Sequence, residues 1–361
     1  MEGCKKGFVS VIIGLFDVAP FLAEKRLGCI LNQTWKDLEI ILVNDGSTDE
    51  TLRLCKELAA EDPRIVLIDK PNGGLGSARN AGLDAASGEY VWFYDVDDAA
   101  ELDLVETNMR WMKEYDTDMI IFGNEFIYPE TGLVESTSFK DRLLTSNAAL
   151  KKVFVDEIFL VPNGNGFVWN KFYKRDFIER CGARFGEQRI QQDELFNLRL
   201  YPFAERVLVS SEILYHYYIY NNGNSRSRFI SDRIQIYESV FDGIQRFQKE
   251  WGLNDIRLNE YAYQRFYQGI ESAVLFNTFH EDAPSSLKWK RNEVQGILSR
   301  PKVKACLDHI SAGNAMGVER KLYLKAYQAK NFMAIYSLRC LSGALRKIKK
   351  MFLNSWSLGL C

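Results

Sequence analysis

Acidic residues stop before the chain does: no Asp or Glu follows Glu319, whereas Arg320, Lys321, Lys325, Lys330, Arg339, Arg346, Lys347, Lys349 and Lys350 do. No apolar run approaches the ~18 residues of a spanning helix, which argues against a membrane-crossing protein. The seven cysteines are scattered and odd in number, with neither a disulfide spacing nor a CxxC metal pattern, so a reducing compartment and mostly buried thiols are expected. Cytoplasm is the default location. Lys5-Lys6 before Phe8–Phe16 has the outline of a signal peptide, but Asp17 cuts the apolar run short and no convincing small-residue cleavage site follows, so the segment reads as a first buried strand. Internal repeats and low-complexity segments are also lacking.

What is present suits a large globular protein. The chain has 361 residues, 47% of them hydrophobic, with a formal net charge of −2, enough to bury a core in one large domain with an appendage. Four β-rich runs, Val9–Ile13, Leu38–Val43, Ile65–Ile68 and Tyr90–Tyr94, lie about a βαβ unit apart, which is the rhythm of a parallel sheet. Ala148–Phe159 reads as helix, Pro162–Gly166 as a loop, and Val207–Val209 and Ile213–Tyr220 as two further strand pieces. From Ser231 onward the text is helical, which puts a boundary near residue 230.

The chemistry concentrates at two acidic clusters, each at the carboxyl end of an apolar run. Ile40–Val43 leads into Asn44-Asp45-Gly46-Ser47, and Tyr90–Tyr94 leads into Asp95-Val96-Asp97-Asp98. Ligands of open α/β sheets bind just beyond the carboxyl ends of strands, so both clusters are expected at one crevice. Carboxylates at alternate positions suit Mg²⁺ or Mn²⁺, hard cations seldom caged by protein alone and commonly shared with phosphate oxygens. The crevice therefore reads as a nucleoside-diphosphate site.

Between the clusters, Asn72-Gly73-Gly74-Leu75-Gly76-Ser77-Ala78-Arg79-Asn80 has the character of a phosphate-cradling loop entering a helix, with Arg79 offering a permanent cation to a pyrophosphate. It is not a dinucleotide-binding fingerprint. Arg79 stands where the third glycine belongs, and the loop follows the third strand instead of the first.

Taken in order, Val9–Ile13, Ile30–Trp35, Glu39–Asp49, Asn72–Gly82 and Gly88–Asp98 resemble the family 2 glycosyltransferases of GT-A fold, over roughly residues 8–225. The resemblance implies an α/β fold with a mostly parallel central sheet flanked by helices, followed by a C-terminal helical region. It divides the chain into a catalytic domain, 1–230, with a donor-binding half at about 8–100 and an acceptor half at about 101–230, and a helical region, 231–361, ending in a basic tail. It implies that Asp45 reads the nucleotide base, that Gly74, Arg79 and Asn80 approach the nucleotide, and that Asp95 and Asp97 form the DxD motif, with Asp95 on ribose or metal and Asp97 on Mn²⁺ or Mg²⁺. Asp98 is the neighbouring acid that many members carry. Gln192-Asp193-Glu194 resembles the family's acidic pair facing the acceptor, with Asp193 as catalytic base, Glu194 beside it, and Lys171 lining the acceptor side or supporting the helix below.

The implied reaction is an inverting transfer of one sugar from a nucleotide donor, UDP-linked by preference, to a hydroxyl of a bacterial cell-surface glycan or lipid-linked acceptor. The missing membrane spans argue against a processive enzyme, and no nucleic-acid partner is expected. Three departures from the family pattern stand out: Gly14-Leu15-Phe16-Asp17 for Pro-x-Tyr-Asn, Asn44-Asp45 for Asp-Asp, and Gln192 for Glu. Gln192 keeps a non-catalytic sugar- or nucleotide-binding partner subunit in play. A nucleotidyltransferase is disfavoured because Gly14–Pro20 contains no Lys or Arg. In the tail, Leu338, Leu341, Leu345, Ile348 and Phe352 recur at three- and four-residue steps, with Arg346, Lys347, Lys349 and Lys350 off the stripe and Trp356 beyond. Such a helix suits either peripheral contact with the inner face of an anionic membrane or docking on the protein itself.

Overall fold

The computed structural model describes residues 4–162, 166–220, 228–312 and 317–342. Asn163–Asn165, Ser225–Ser227, and the tail residues Leu345, Arg346, Lys347, Ile348, Lys349, Lys350, Phe352 and Trp356 lie outside the described residues. The chain divides into two compact units, Met1–Ser227 with Gly243–Asp255, and Arg228–Asp242 with Ile256–Cys361.

In the first unit the strands are β1 (Lys5–Leu15), β2 (Leu38–Asp45), β3 (Ile65–Lys70), β4 (Gly88–Phe93), β5 (Ala99–Ala100), β6 (Met119–Tyr128), β7 (Leu133–Thr137), β8 (Arg142–Leu144), β9 (Lys171–Lys174) and β10 (Val207–Tyr218). They form one sheet of ten described strands in the order β3-β2-β1-β4-β9-β6-β10-β5, with β7 paired to β6 and β8 to β10. The β3-β2-β1-β4 half is parallel. β2 is buried at every position, which is why its sequence is a continuous apolar run instead of an alternating one. The pairings Leu15↔Asn44, Asp45↔Lys70 and Ile12↔Phe93 bring the carboxyl ends of β1, β2, β3 and β4 to one edge. Both acidic clusters emerge there.

β9 joins this half to the rest, antiparallel to both β4 and β6, while β10 runs parallel to β6. The two strand pieces expected around Val207 and Ile213 are one strand. Ser210, Ser211 and Glu212 break its apolar text and coincide with the register shift between Val209 and Ile213, so the sequence looks interrupted where the backbone is only irregular. The segment expected to be helical after Ala148 is an α-helix, Asn147–Phe154, that widens into a π-helical turn, Val155–Phe159.

The second unit is helical, as expected, with no strand among its described residues. Its helices include Ile256–Glu271, Leu287–Ser299, Pro301–Ala312 and Val318–Gln328. Among the described cysteines, Cys4, Cys29, Cys55, Cys181, Cys306 and Cys340, all are free thiols. Only Cys55 and Cys306 are fully buried, and Cys4 and Cys340 are exposed, so the expectation of mostly buried thiols holds for part of the set. No described helix is long and apolar enough to cross a membrane.

Candidate active site

The loop after β4 is pinned from β10. Tyr215 Oη donates to Asp98 Oδ2 at 2.6 Å, the Tyr218 N–H donates to Asp98 Oδ1 at 3.0 Å, and Tyr94 Oη donates to the Asp98 carbonyl at 2.5 Å. Asp98 is 1% exposed. Burial, with the nearby charges of Asp97 and Asp95, pushes its carboxyl well above the usual range, so this acid anchors the loop from within. Asp97, two residues after Asp95, is only partly buried. Burial and the charge of Asp95 push Asp97 up to about 6, against the opposing charges of Arg26 and Arg79. Among the described residues no three His, Cys, Asp or Glu side chains make a complete cation cage.

At the end of β2, the Asp45 carboxylate is 2% exposed and fully engaged. Lys70 Nζ donates to Oδ1 at 2.6 Å, the Gly73 N–H at 3.0 Å, and the Gly74 N–H donates to Oδ2 at 2.7 Å. Gly74 sits at φ 85°, a left-handed value open to glycine, which turns its N–H onto the carboxylate. The glycine-loop amides that the sequence offers as a phosphate cradle are thus directed at Asp45. Neighbouring Asn44 donates to Asp69 Oδ1 at 2.7 Å, tying β2 to β3. Asp17, in the position of the family's asparagine, accepts from the Thr48 N–H at 2.7 Å and holds the loop after β2 against the end of β1.

Arg79 joins the two sides of the site. It lies in the helix Leu75–Ala85 and is 1% exposed. Its Nη2 donates to Asp95 Oδ1 at 2.8 Å and its Nη1 to Asp193 Oδ1 at 2.5 Å, with the guanidinium 5.4 Å from the Phe185 ring centroid. Sequence suggested a cation offered to a ligand; the structure gives one held between two carboxylates. Asp193 occupies the first turn of the helix Gln192–Leu200, where unpaired N–H groups favour negative charge. Although 19% of its side chain faces solvent, burial raises its pKa, helped by Asp95 and opposed by Arg79 and Lys171.

The remaining predicted residues are structural in their contacts. Asn80 exchanges two 2.9 Å hydrogen bonds with the Phe185 backbone. Lys171 is 0% exposed, and its Nζ donates to the Phe167 carbonyl at 2.6 Å and to Asn170 Oδ1 at 2.9 Å. Burial pushes Lys171 down to about 7, with Asp193 opposing. Glu194 is buried, as is Gln192, whose Oε1 has no hydrogen-bond partner. Sequence reasoning passed over Phe185, the ring beneath Arg79, because the only local signal is an aromatic between Arg184 and Gly186.

The architecture, a mostly parallel sheet flanked by helices with a helical region after it, is of GT-A type. The sequence model of Glycosyl transferase family 2 matches residues 10–180. The glycosyltransferase GlyA of Streptococcus pneumoniae serotype 4 is 33% identical over 227 residues, 60% of this chain and 31% of that protein. The uncharacterised glycosyltransferase YibD of Escherichia coli K12 is 30% identical over 272 residues, 74% of this chain and 77% of that protein. The chain spans under two thirds of the length of several other curated relatives, 61% and 60% of two from Bacillus subtilis. Among solved structures, Staphylococcus aureus TarS 1–349 in complex with UDP-GlcNAc has a TM-score of 0.56 at 18% identity, covering 92% of this chain and 90% of that one. A Pyrobaculum calidifontis mannosyltransferase in complex with GDP-Man and Mn²⁺ has a TM-score of 0.51 at 15% identity, covering 93% and 86%. The chain belongs to glycosyltransferase family 2.

Proposed function

We propose that this enzyme transfers a single sugar, with inversion, from a nucleoside-diphosphate donor to an acceptor hydroxyl of a cell-surface glycan or lipid-linked saccharide. The donor side comprises residues 8–100 and the acceptor side residues 101–230. The observation that carries the proposal is Arg79, which holds a strand-end carboxylate, Asp95, and a helix-start carboxylate, Asp193, within reach of one guanidinium. Two carboxylates with different roles are what the reaction needs, one group near the leaving diphosphate and another to take the acceptor proton.

Asp193 is the base. Burial raises its pKa, which suits a group that accepts a proton, while Arg79, Lys171 and the helix start oppose that rise. Gln192, in place of the family's glutamate, is compatible with that role, because another buried carboxylate next to Asp193, in addition to Glu194, would raise its pKa further and a neutral amide does not. Asp45 lies at the base-binding end, where its bonds to Gly73 and Gly74 fix the loop against β2.

Asp97 and Asp95 fit a divalent metal, Mn²⁺ or Mg²⁺. Burial, and then the charge of Asp95, raise the Asp97 carboxyl, a cost that a bound cation would relieve, and a two-carboxylate set leaves positions for diphosphate oxygens. Such a cation, when bound, would neutralise charge developing on the departing nucleoside diphosphate.

The test separates the two halves. Binding of UDP, GDP, CDP and dTDP with and without Mn²⁺, followed by release of nucleotide from the matching sugar donors, is measured on wild type, Asp97→Asn and Asp193→Asn. Asp97→Asn should lose metal-dependent nucleotide binding. Asp193→Asn should bind normally yet lose at least a hundredfold in turnover, within the typical 10²–10⁴ of general-base catalysis. Undiminished turnover in Asp193→Asn rejects the base assignment.

A further inference from the structure

A leaving nucleoside diphosphate carries more negative charge than one divalent cation on two carboxylates can balance, so a protein cation is expected beside it. Arg79 is poorly placed to supply it, since it is 1% exposed and both arms are held by Asp95 and Asp193. Lys70, at the end of β3, is engaged by the Asp45 carboxylate and the Pro71 carbonyl.

We propose that Arg26, a residue of the segment between β1 and β2, is the cation that receives the donor diphosphate. This inference rests on the nucleotide-sugar reading above. The Arg26 side chain is 29% exposed. Its Nη2 donates to Tyr220 Oη at 3.1 Å, its Nε donates to Glu24 Oε2 at 3.2 Å, and the guanidinium lies 5.5 Å from the Tyr218 ring centroid. Nη1 has no hydrogen-bond partner among the described residues and remains available to a ligand.

The same residue is tied to the Asp95–Asp98 loop from two directions. The Arg26 carbonyl lies 3.5 Å from Tyr94 Oη, whose proton goes to the Asp98 carbonyl, and Tyr94 directly precedes Asp95. Tyr218, beneath the guanidinium, also supplies the N–H that holds Asp98. The Arg26 charge acts on Asp97 itself. A guanidinium with a free Nη1, packed on a tyrosine whose N–H holds Asp98, suits charge-assisted hydrogen bonding to phosphate oxygens.

The experiment measures affinity of the full chain for UDP, GDP, CDP and dTDP with Mn²⁺ by calorimetry, then compares wild type, Arg26→Gln and Arg26→Lys with the best of the four. Gln retains a donor for Tyr220 and removes the charge. Arg26→Gln should weaken binding about 10- to 100-fold, the range of a charge-assisted hydrogen bond, with an unchanged unliganded unfolding midpoint, and Arg26→Lys should recover part of the loss. Binding within threefold of wild type in Arg26→Gln overturns the inference and leaves the donor reading standing. Equal weakening in both variants together with a lowered unliganded midpoint overturns it too, because Arg26 would then only support the fold. Failure of wild type to bind any of the four rejects the donor reading, and the role of Arg26 with it.

Discussion

Arg79 donates to Asp193 at 2.5 Å from a side chain that is 1% exposed, while its other arm holds Asp95. A residue of the helix that follows the glycine-rich loop therefore sets the distance between the two sides of the site. Lysine cannot span both carboxylates, because one ammonium lacks the rigid fork of the guanidinium. Arg79→Lys should lower kcat/KM by a hundredfold or more, and Arg79→Met, which leaves the carboxylates without a partner, should also cost about 3 kcal/mol of stability. Steady-state kinetics and urea unfolding check both. Full activity in Arg79→Lys would show that the bridge is incidental.

The pH profile follows from the charges around Asp193. A base works deprotonated, so activity falls as pH drops through its folded pKa. Burial raises that pKa, and Arg79 and Lys171 hold it down. Lys171, itself pushed down to about 7 by burial, is charged below that pH, where the acidic limb lies. Lys171→Met should move the acidic limb of kcat upward by about one unit, equivalent to roughly 1.4 kcal/mol of lost charge interaction. Stability changes the other way: the cost of burying a charged Lys171 is fully present below pH 7 and lifts as pH rises toward the ordinary lysine value, a slope the methionine variant lacks. Superimposable limbs would remove Lys171 from any role in tuning Asp193.

The parallel half of the sheet was legible because strands buried on both faces leave continuous apolar runs, as in Ile40–Val43 and Val91–Tyr94. Short strands leave no such trace: β9 is four residues, Lys-Phe-Tyr-Lys, and β5 is two alanines. The acidic clusters stood out as carboxylates at strand ends. Their partners did not, because the bonds that define them span long separations: Arg79 to Asp193 crosses 114 residues, Tyr215 to Asp98 crosses 117, and Asn80 to Phe185 crosses 105. An arginine in a glycine-rich loop reads as exposed until the chain that covers it is placed.

Gly76 shows what the loop's glycines are for. A Cβ there would lie 2.5 Å from the Gly186 carbonyl oxygen and 3.1 Å from Phe185 Cβ. Backbone cannot yield cheaply, so Gly76→Ala should push the Phe185–Gly186 segment off the helix, disturbing the ring under Arg79 and the Asn80 bonds. A loss of about 1–3 kcal/mol, typical of overpacking, is expected together with reduced kcat. Gly28→Ala is the control, since nothing lies within 4 Å of its added methyl. Equal behaviour of the two variants in unfolding and turnover assays would discount the packing argument.

Away from the site, Glu39 closes the amino end of the sheet. It is 7% exposed and pairs in register with Ser10, whose hydroxyl donates to Oε1. The Ser87 N–H donates to Oε1 at 2.5 Å, the Gly88 N–H at 3.0 Å, and Ser87 Oγ donates to Oε2 at 2.6 Å. Burial pushes Glu39 up, but these bonds outweigh it and leave the pKa below the usual value. Its stabilisation is therefore present above the ordinary glutamate pKa and lost as pH falls through the lowered one. Glu39→Ala strands buried donors and should cost about 3 kcal/mol at pH 7. Glu39→Gln should cost less, about 1 kcal/mol, since its amide oxygen can replace Oε1 while the Ser87 hydroxyl turns to accept from the amide N–H. Urea unfolding of the three proteins at pH 7 and at pH 4 reads both effects, and an alanine variant as stable as wild type would show that the donors find other partners.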